Sequence, residues 1–212
     1  MIYMNKRISM EGQFFSQFGE DKWIVDNLHY PLSGVFVDVG ASDGISGNNT
    51  YFFEKIGWQG LCIDADPSHH ASLKANRRLV ETYAVSSARG EVEFYRHNTE
   101  STWSGIHRRG EDYTPVNIKS RRLEDLLVLH DIHKIDLLDI DVEGSEIDVW
   151  NSFDPELYRP EVVIIEYSDS RQCCNKNEII SMITEYPYNL VYTTPANLIF
   201  VRTPLGWVHG KD

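Results

Sequence analysis

Short apolar runs alternate with amphipathic stretches along the chain. "GVFVDVG" (34–40), "GLCIDA" (60–65), "KIDLLDID" (134–141) and "EVVIIEYS" (161–168) read as strands, apolar enough to be covered on both faces. Between them, "TYFFEKIGW", "PSHHASLKANRR", "LEDLLVLH", "SEIDVWNSF" and "KNEIISMITEY" carry helical spacing, with glycine or proline at several of their ends. "VETYAVS" and "VEFYRH" read as strands joined by a turn at Ala88-Arg89-Gly90. "YNLVYTT" and "NLIFVRT" predict a closing hairpin around Pro195-Ala196. The segment 98–119 has no periodicity and is long for a connection, so a functional lid or poor order is expected there.

Repeated β-α-β units predict an α/β fold with a mostly parallel sheet, helices on both faces and an antiparallel edge at the C-terminus. Ligands of such sheets sit beyond the carboxyl ends of the strands, where strand order reverses. If "GVFVDVG" is the first strand, the loop from Asp38 to Gly44 lies there. With 212 residues, one domain has a full core and little remains for a second. Residues 1–15 read as a leader and 16–212 as the domain.

The net charge of −12 argues against tight binding to nucleic acid. The basic doublets Arg77-Arg78, Arg108-Arg109 and Arg121-Arg122 read as solvated surface. No apolar run approaches a membrane span. Three cysteines, two of them the adjacent Cys173 and Cys174, make neither a disulfide framework nor a zinc pattern. A reduced, cytoplasmic compartment is expected.

The loop after the first strand reads Asp38-x-Gly40-x-x-Asp43-Gly44. A glycine turn lets backbone approach a ligand and leaves N–H groups free. The G-x-G-x-x-G of a dinucleotide site is missing, which counts against a nucleotide-dependent oxidoreductase. Carboxylates in that loop suit a cationic ligand rather than a pyrophosphate. Asp64, where the second strand runs out, is placed to accept hydrogen bonds from ribose hydroxyls, with Ala65 and Asp66 beside it. A cationic nucleoside with a free ribose and no phosphates describes S-adenosylmethionine. Further on, Asp139, Asp141 and Glu143 alternate along a strand and its exit and are expected on one face. Acids this close raise one another's pKa and call for a cation nearby.

"SQFGEDKWI", "FVDVGASDG", "NNTYFFEKIGWQGLCIDADP", "IDLLDIDVEGSE" and "VVIIEYS", in this order, resemble the FkbM family of S-adenosylmethionine-dependent methyltransferases over roughly Ser16 to Arg202. The resemblance implies a class I, Rossmann-like methyltransferase with a seven-stranded sheet. It also implies O-methylation of a sugar, glycan or polyketide hydroxyl. The chain departs from the family at Asp139, where lysine is frequent, and at "IDADP", where relatives often read "IEPNP". On the cofactor side, Asp38 and Gly40 are expected under the methionine part, Asp43, Asn49 and Thr50 at its ammonium and carboxylate, and Asp64 at the ribose. Ser86 is expected at the adenine edge, Gln17 and Asp21 folded over the cofactor, and Asp139 near it. An alcohol acceptor benefits from a base. Asp141 is the first candidate, followed by Glu143, Glu166 and His107. A divalent metal between Asp141 and Glu166 is the alternative to a metal-free base. Trp103 and Tyr113 offer rings for a sugar face.

Overall fold

The computed structural model describes residues 14–169 and 174–204. The main sheet has seven strands in the order β3-β2-β1-β7-β8-β10-β9. Its members are β1 (Val35–Val39), β2 (Gln59–Ile63), β3 (Val80–Glu81), β7 (Leu137–Ile140), β8 (Val162–Glu166), β9 (Tyr188–Thr193) and β10 (Asn197–Arg202). All neighbours pair in parallel except β10, which runs antiparallel to both β8 and β9. The strands expected from the apolar runs are these strands. The closing hairpin forms too, but its second strand lies inside the sheet and β9 is the edge. Burial explains the choice: β10 is buried over Asn197–Val201, whereas β9 is buried only at Tyr188.

Helices cover both faces. They are α1 (Glu20–Asn27), α2 (Tyr51–Lys55), α3 (His70–Asn76), α4 (Leu123–Leu129), α5 (Glu146–Trp150), α6 (Pro155–Tyr158) and α7 (Lys176–Ile183). Alternate residues of one strand feed opposite cores: Val37 and Val39 face the cluster with Leu126, Val149 and Ile179, while Phe36 faces the cluster with Ile24, Phe53 and Trp58. Among the described residues no helix is long and apolar enough to cross a membrane.

The region 80–121 departs from expectation. Val80–Glu81 joins the main sheet, and the next residues leave it for a second, three-stranded sheet of β4 (Ala84–Val85), β5 (Gly90–His97) and β6 (Tyr113–Arg121). The stretch expected to be aperiodic up to residue 119 therefore holds a long strand, which pairs with β5 from Gly90↔Ser120 to His97↔Tyr113. Its pattern misled because only Ile118 and Ser120 of β6 are buried. With one face in solvent and Pro115 within it, the strand lacks the apolar alternation that marks a core strand. The irregular part shrinks to an arm over 98–112, with a 3₁₀ turn at Ser101–Trp103.

Phe14 stacks on Phe52 at 5.0 Å and Phe15 meets Tyr51 at 4.7 Å, so these two residues of the expected leader pack against the fold; the rest of that expectation, residues 1–13, lies outside the described residues.

Gly40 is the backbone hinge between β1 and the loop that follows. Its φ is +97°, and a Cβ there would lie 1.7 Å from the carbonyl oxygen of Asp141. Gly90, with φ +118°, has nothing within 4 Å of the same position. Gly40→Ala is expected to cost about 3 kcal/mol, strain plus overpacking. Gly90→Ala should cost only the strain, about 1–2 kcal/mol. Chemical denaturation of the two variants checks the difference; equal losses would contradict a close approach at Gly40.

Candidate active site

A cavity of about 1370 Å³ opens at the carboxyl ends of β1, β2, β7 and β8. This is where strand order reverses, since β2 and β3 lie to one side of β1 and β7 and β8 to the other. Small-molecule pockets usually measure roughly 300–1000 Å³, so the space is large enough for more than one small molecule.

A buried arginine shapes one wall. Arg77, at the end of α3, donates from Nη1 to the Gly44 carbonyl and to Asn48 Oδ1, both at 3.0 Å, and from Nη2 to Thr50 Oγ1 at 2.7 Å. Its Nε donates to Glu54, its Nη1 lies 3.5 Å from Asp38, and its guanidinium covers the Phe36 ring at 5.0 Å. The side chain is fully enclosed, so the reading of Arg77-Arg78 as a solvated doublet is corrected for Arg77. Asp38 in turn accepts from Asn48 Nδ2 at 2.8 Å and Thr50 Oγ1 at 2.6 Å. Burial pushes the Asp38 carboxyl up despite Arg77 and these donors. The loop 40–50 is thereby pinned between β1, α2 and α3.

Gly40, Asn49, Asp64, Ala65 and Asp139 line the cavity, and so does Gln17. Asn49 Nδ2 donates to Asp139 Oδ1 at 3.0 Å, while the buried Asn49 Oδ1 has no hydrogen-bond partner. Asp64 accepts from Ser42 N on Oδ2 and from Asp66 N on Oδ1, both at 2.8 Å, which fixes its carboxylate at the end of β2. Other expected contacts lie outside the cavity wall. Asp38 and Thr50 serve the arginine network behind it. Asp43 is turned into its own loop, where it accepts from Ile45 N, Ser46 N and Ser46 Oγ, and these donors hold its carboxyl below the usual range against the opposing effect of burial. Ser86 pairs with Ser120 Oγ at 3.0 Å and holds the second sheet together, leaving Tyr83, Val85 and Phe94 as the apolar wall on that side. Asp21 closes the N-terminal turn by accepting from Phe15 N and Ser16 N, and the bridge Ser16↔Gly47 carries Gln17 to the cavity mouth.

The acids gather beside this wall. Asp141, Glu143 and Glu166 each present a carboxylate oxygen within 4.8 Å of the others, and all three line the cavity. Glu143 adopts φ +60° and ion-pairs with Arg109 of the arm at 2.6 Å. Asp141 follows directly on β7 and meets the cavity half-buried, whereas Glu166 at the end of β8 is buried. Burial first, then Glu166, Glu143, Asp139 and Glu146, hold its carboxyl well above the ordinary range. Asp139 is raised likewise, by burial and then by Asp38. Glu146, at the start of α5, is pushed up to about 7 by burial and Glu166. His107 is on the outer wall with Trp103, Arg108 and Tyr113. His97 stands between Trp103 and Tyr113, edge to face at 5.1 and 4.8 Å. The residues around the cavity whose engagement the pattern did not reveal are Arg77, Glu146 and His69. Glu146 had a signal, the acid three residues after Glu143, whereas Arg77 read as solvated surface and His69 only as part of a helical stretch.

This strand order, the glycine hinge after β1 and the acid at the end of β2 define a Rossmann-like methyltransferase. The chain belongs to the methyltransferase FkbM domain family, which it matches over residues 38–190. It is similar to the 2-O-methyltransferase NoeI of Sinorhizobium fredii, 28% identical over 167 residues, covering 69% of this chain and 68% of NoeI. Among solved structures it is similar to the TehB-like SAM-dependent methyltransferase of Corynebacterium glutamicum, with a TM-score of 0.48, 11% identity and 89% of each chain covered. The protein is a methyltransferase, and its family implies S-adenosylmethionine as donor. The cavity fits that group: a buried amide oxygen awaits a donor at Asn49, and carboxylates suit its cationic end.

Two outcomes follow from the electrostatics. Arg77→Met should destabilise the fold by about 3–5 kcal/mol, because Asp38 and Glu54 lose their buried counter-charge; denaturant unfolding measures this. Asp141 has a folded-state pKa above its unfolded value, so its contribution to stability is lost as pH rises from the ordinary carboxylate range through the raised value. Asp141→Asn should therefore raise the melting temperature more at pH 8 than at pH 4. A gain of the same size at both values would contradict the raised pKa.

Proposed function

We propose that the protein methylates a hydroxyl of a sugar or glycan. The observation that carries this reading is the placement of Asp141, a half-buried carboxylate beside Glu143 and Glu166, in the cavity wall between the loops after β1 and β2 and the aromatic outer face. The similarity to NoeI, a 2-O-methyltransferase, supports oxygen as the acceptor atom.

S-Adenosylmethionine, when bound, supplies an electrophilic methyl group on a sulfonium. Asp64 would accept the ribose hydroxyls, Asn49 Oδ1 and Asp139 would accept from the ammonium, and Gln17 would close the mouth. Tyr83, Val85 and Phe94 offer the apolar surface for a purine. On the other side, Trp103 and Tyr113 offer rings to a sugar face, and His107 lies beside them. Asp141 would take the acceptor's hydroxyl proton, and the donor would supply the methyl group to that oxygen, its sulfur–methyl bond breaking to leave the neutral thioether. A base with a raised pKa is matched to an alcohol better than an ordinary carboxylate. Holding acceptor and donor in line supplies much of the remaining rate. Glu166 and Glu143 act on Asp141 through their charge, and Glu143 is already engaged by Arg109.

A second reading rests on the mutual distances of Asp141, Glu143 and Glu166, whose oxygens suit a divalent cation. The metal-free form is preferred, because the arm's arginine occupies one of the three carboxylates.

A screen of hydroxylated sugars and glycans with labelled S-adenosylmethionine tests the acceptor class; transfer to amines or proteins alone would contradict it. Asp141→Asn should lose most turnover while the cofactor still binds. EDTA should leave the wild type active, and magnesium-restored activity after EDTA would replace the base by a metal ligand. Asp64→Ala should weaken cofactor binding by about 1–3 kcal/mol in calorimetry.

A further inference from the structure

The cavity wall comes from two parts of the chain. The loops after β1 and β2 form the cofactor side, and the arm 98–112 between β5 and β6 forms the outer side. One side chain spans them. His69, just before α3, lies with Nδ1 3.1 Å from Asp64 Oδ1 and with Nε2 2.8 Å from Ser101 Oγ. Ser101 opens the 3₁₀ turn that ends in Trp103. Alongside, Arg96 Nε of β5 donates to Asp66 Oδ1 at 3.0 Å, so the same loop is tied to the base of the arm.

Resting on the reading of Asp64 as the ribose acid, we propose that His69 is a positioning residue that couples the ribose end of the cofactor site to the arm bearing Trp103. The ring has both nitrogens engaged, and it is nearly enclosed. A hydroxyl that settles on Asp64 fixes the carboxylate that fixes the ring, and the ring holds Ser101. The arm that receives the acceptor is thereby set by the state of the cofactor side, in keeping with an order in which the donor is seated first. Coupling of this kind is reciprocal, so an arm held closed also strengthens cofactor binding.

The link does not depend on one protonation state. Burial pulls the His69 imidazolium down, but Asp64, Asp66 and Asp43 more than offset it and hold its pKa up. These carboxylates face it from the loops, Ser101 faces it from the arm, and Arg96 reaches the same Asp66 from β5. The imidazolium donates to both Asp64 and Ser101. The neutral ring donates from Nδ1 to Asp64 and accepts the Ser101 hydroxyl at Nε2. Either state spans the gap, so the device is a bridge and not a pH switch.

Hydrogen exchange of the full chain, with and without S-adenosylhomocysteine, tests it. Saturating S-adenosylhomocysteine should slow exchange of 98–112 in the wild type by roughly fivefold or more, the lower end of usual coupling. In Ser101→Ala and His69→Gln, calorimetry should still detect binding, but the arm should no longer respond. Ser101→Thr keeps the hydroxyl and should restore the response. A wild-type arm indifferent to bound S-adenosylhomocysteine, or a Ser101→Ala arm that responds as the wild type does, overturns the bridge and leaves the cofactor site intact. Absence of binding to the wild type overturns the cofactor reading and the bridge with it.

Discussion

The site depends on one buried cation. Arg77 reaches from the end of α3 under the loop 40–50 and satisfies Gly44, Asn48, Thr50 and Glu54 at once, with Asp38 beside it. A desolvated carboxylate such as Asp38 is costly without a counter-charge, and a desolvated guanidinium equally so. Together they convert a loop of glycines and short polar residues into a fixed surface. Gly40 then passes against the Asp141 carbonyl, which brings the exits of β1 and β7 into contact and makes the cofactor wall and the acid wall neighbours.

Beyond that pair, negative charge is left in surplus. Asp139, Asp141 and Glu146 all carry raised pKa values, with burial as the largest cause and other carboxylates adding to it. Such a cluster opposes folding at neutral pH and is tolerated where function draws on it. For a methyltransferase it has a use: the donor is cationic, and an alcohol needs a proton acceptor. The arm contributes Arg109 to Glu143, so part of the charge is neutralised by the element that also forms the outer wall of the cavity.

Much of this was legible along the chain. The buried strands declared themselves because both faces are covered, and their order placed the glycine loop and Asp64 at the switch point. What escaped notice has physical reasons. β6 is solvated on one face, so its pattern resembled a loop. Asp43 and Thr50 carry the chemistry of ligand contacts but spend it on their own loop and on Asp38, a choice decided by contacts that spacing does not reveal. Arg77 looked like a surface residue because its partners are distant in sequence, from Asp38 to Glu54. Asp139 was expected to need a cation, yet its carboxylate accepts from the Asn49 amide.

All of these roles require that the cavity at the strand ends takes S-adenosylmethionine. Thermal unfolding of the wild-type chain with S-adenosylmethionine, S-adenosylhomocysteine and NAD tests it most directly. A ligand selective for the folded state at one hundred times its dissociation constant stabilises by about 2.7 kcal/mol. S-Adenosylmethionine or S-adenosylhomocysteine should raise the melting temperature, and NAD should leave it unchanged. A shift with NAD alone would contradict it.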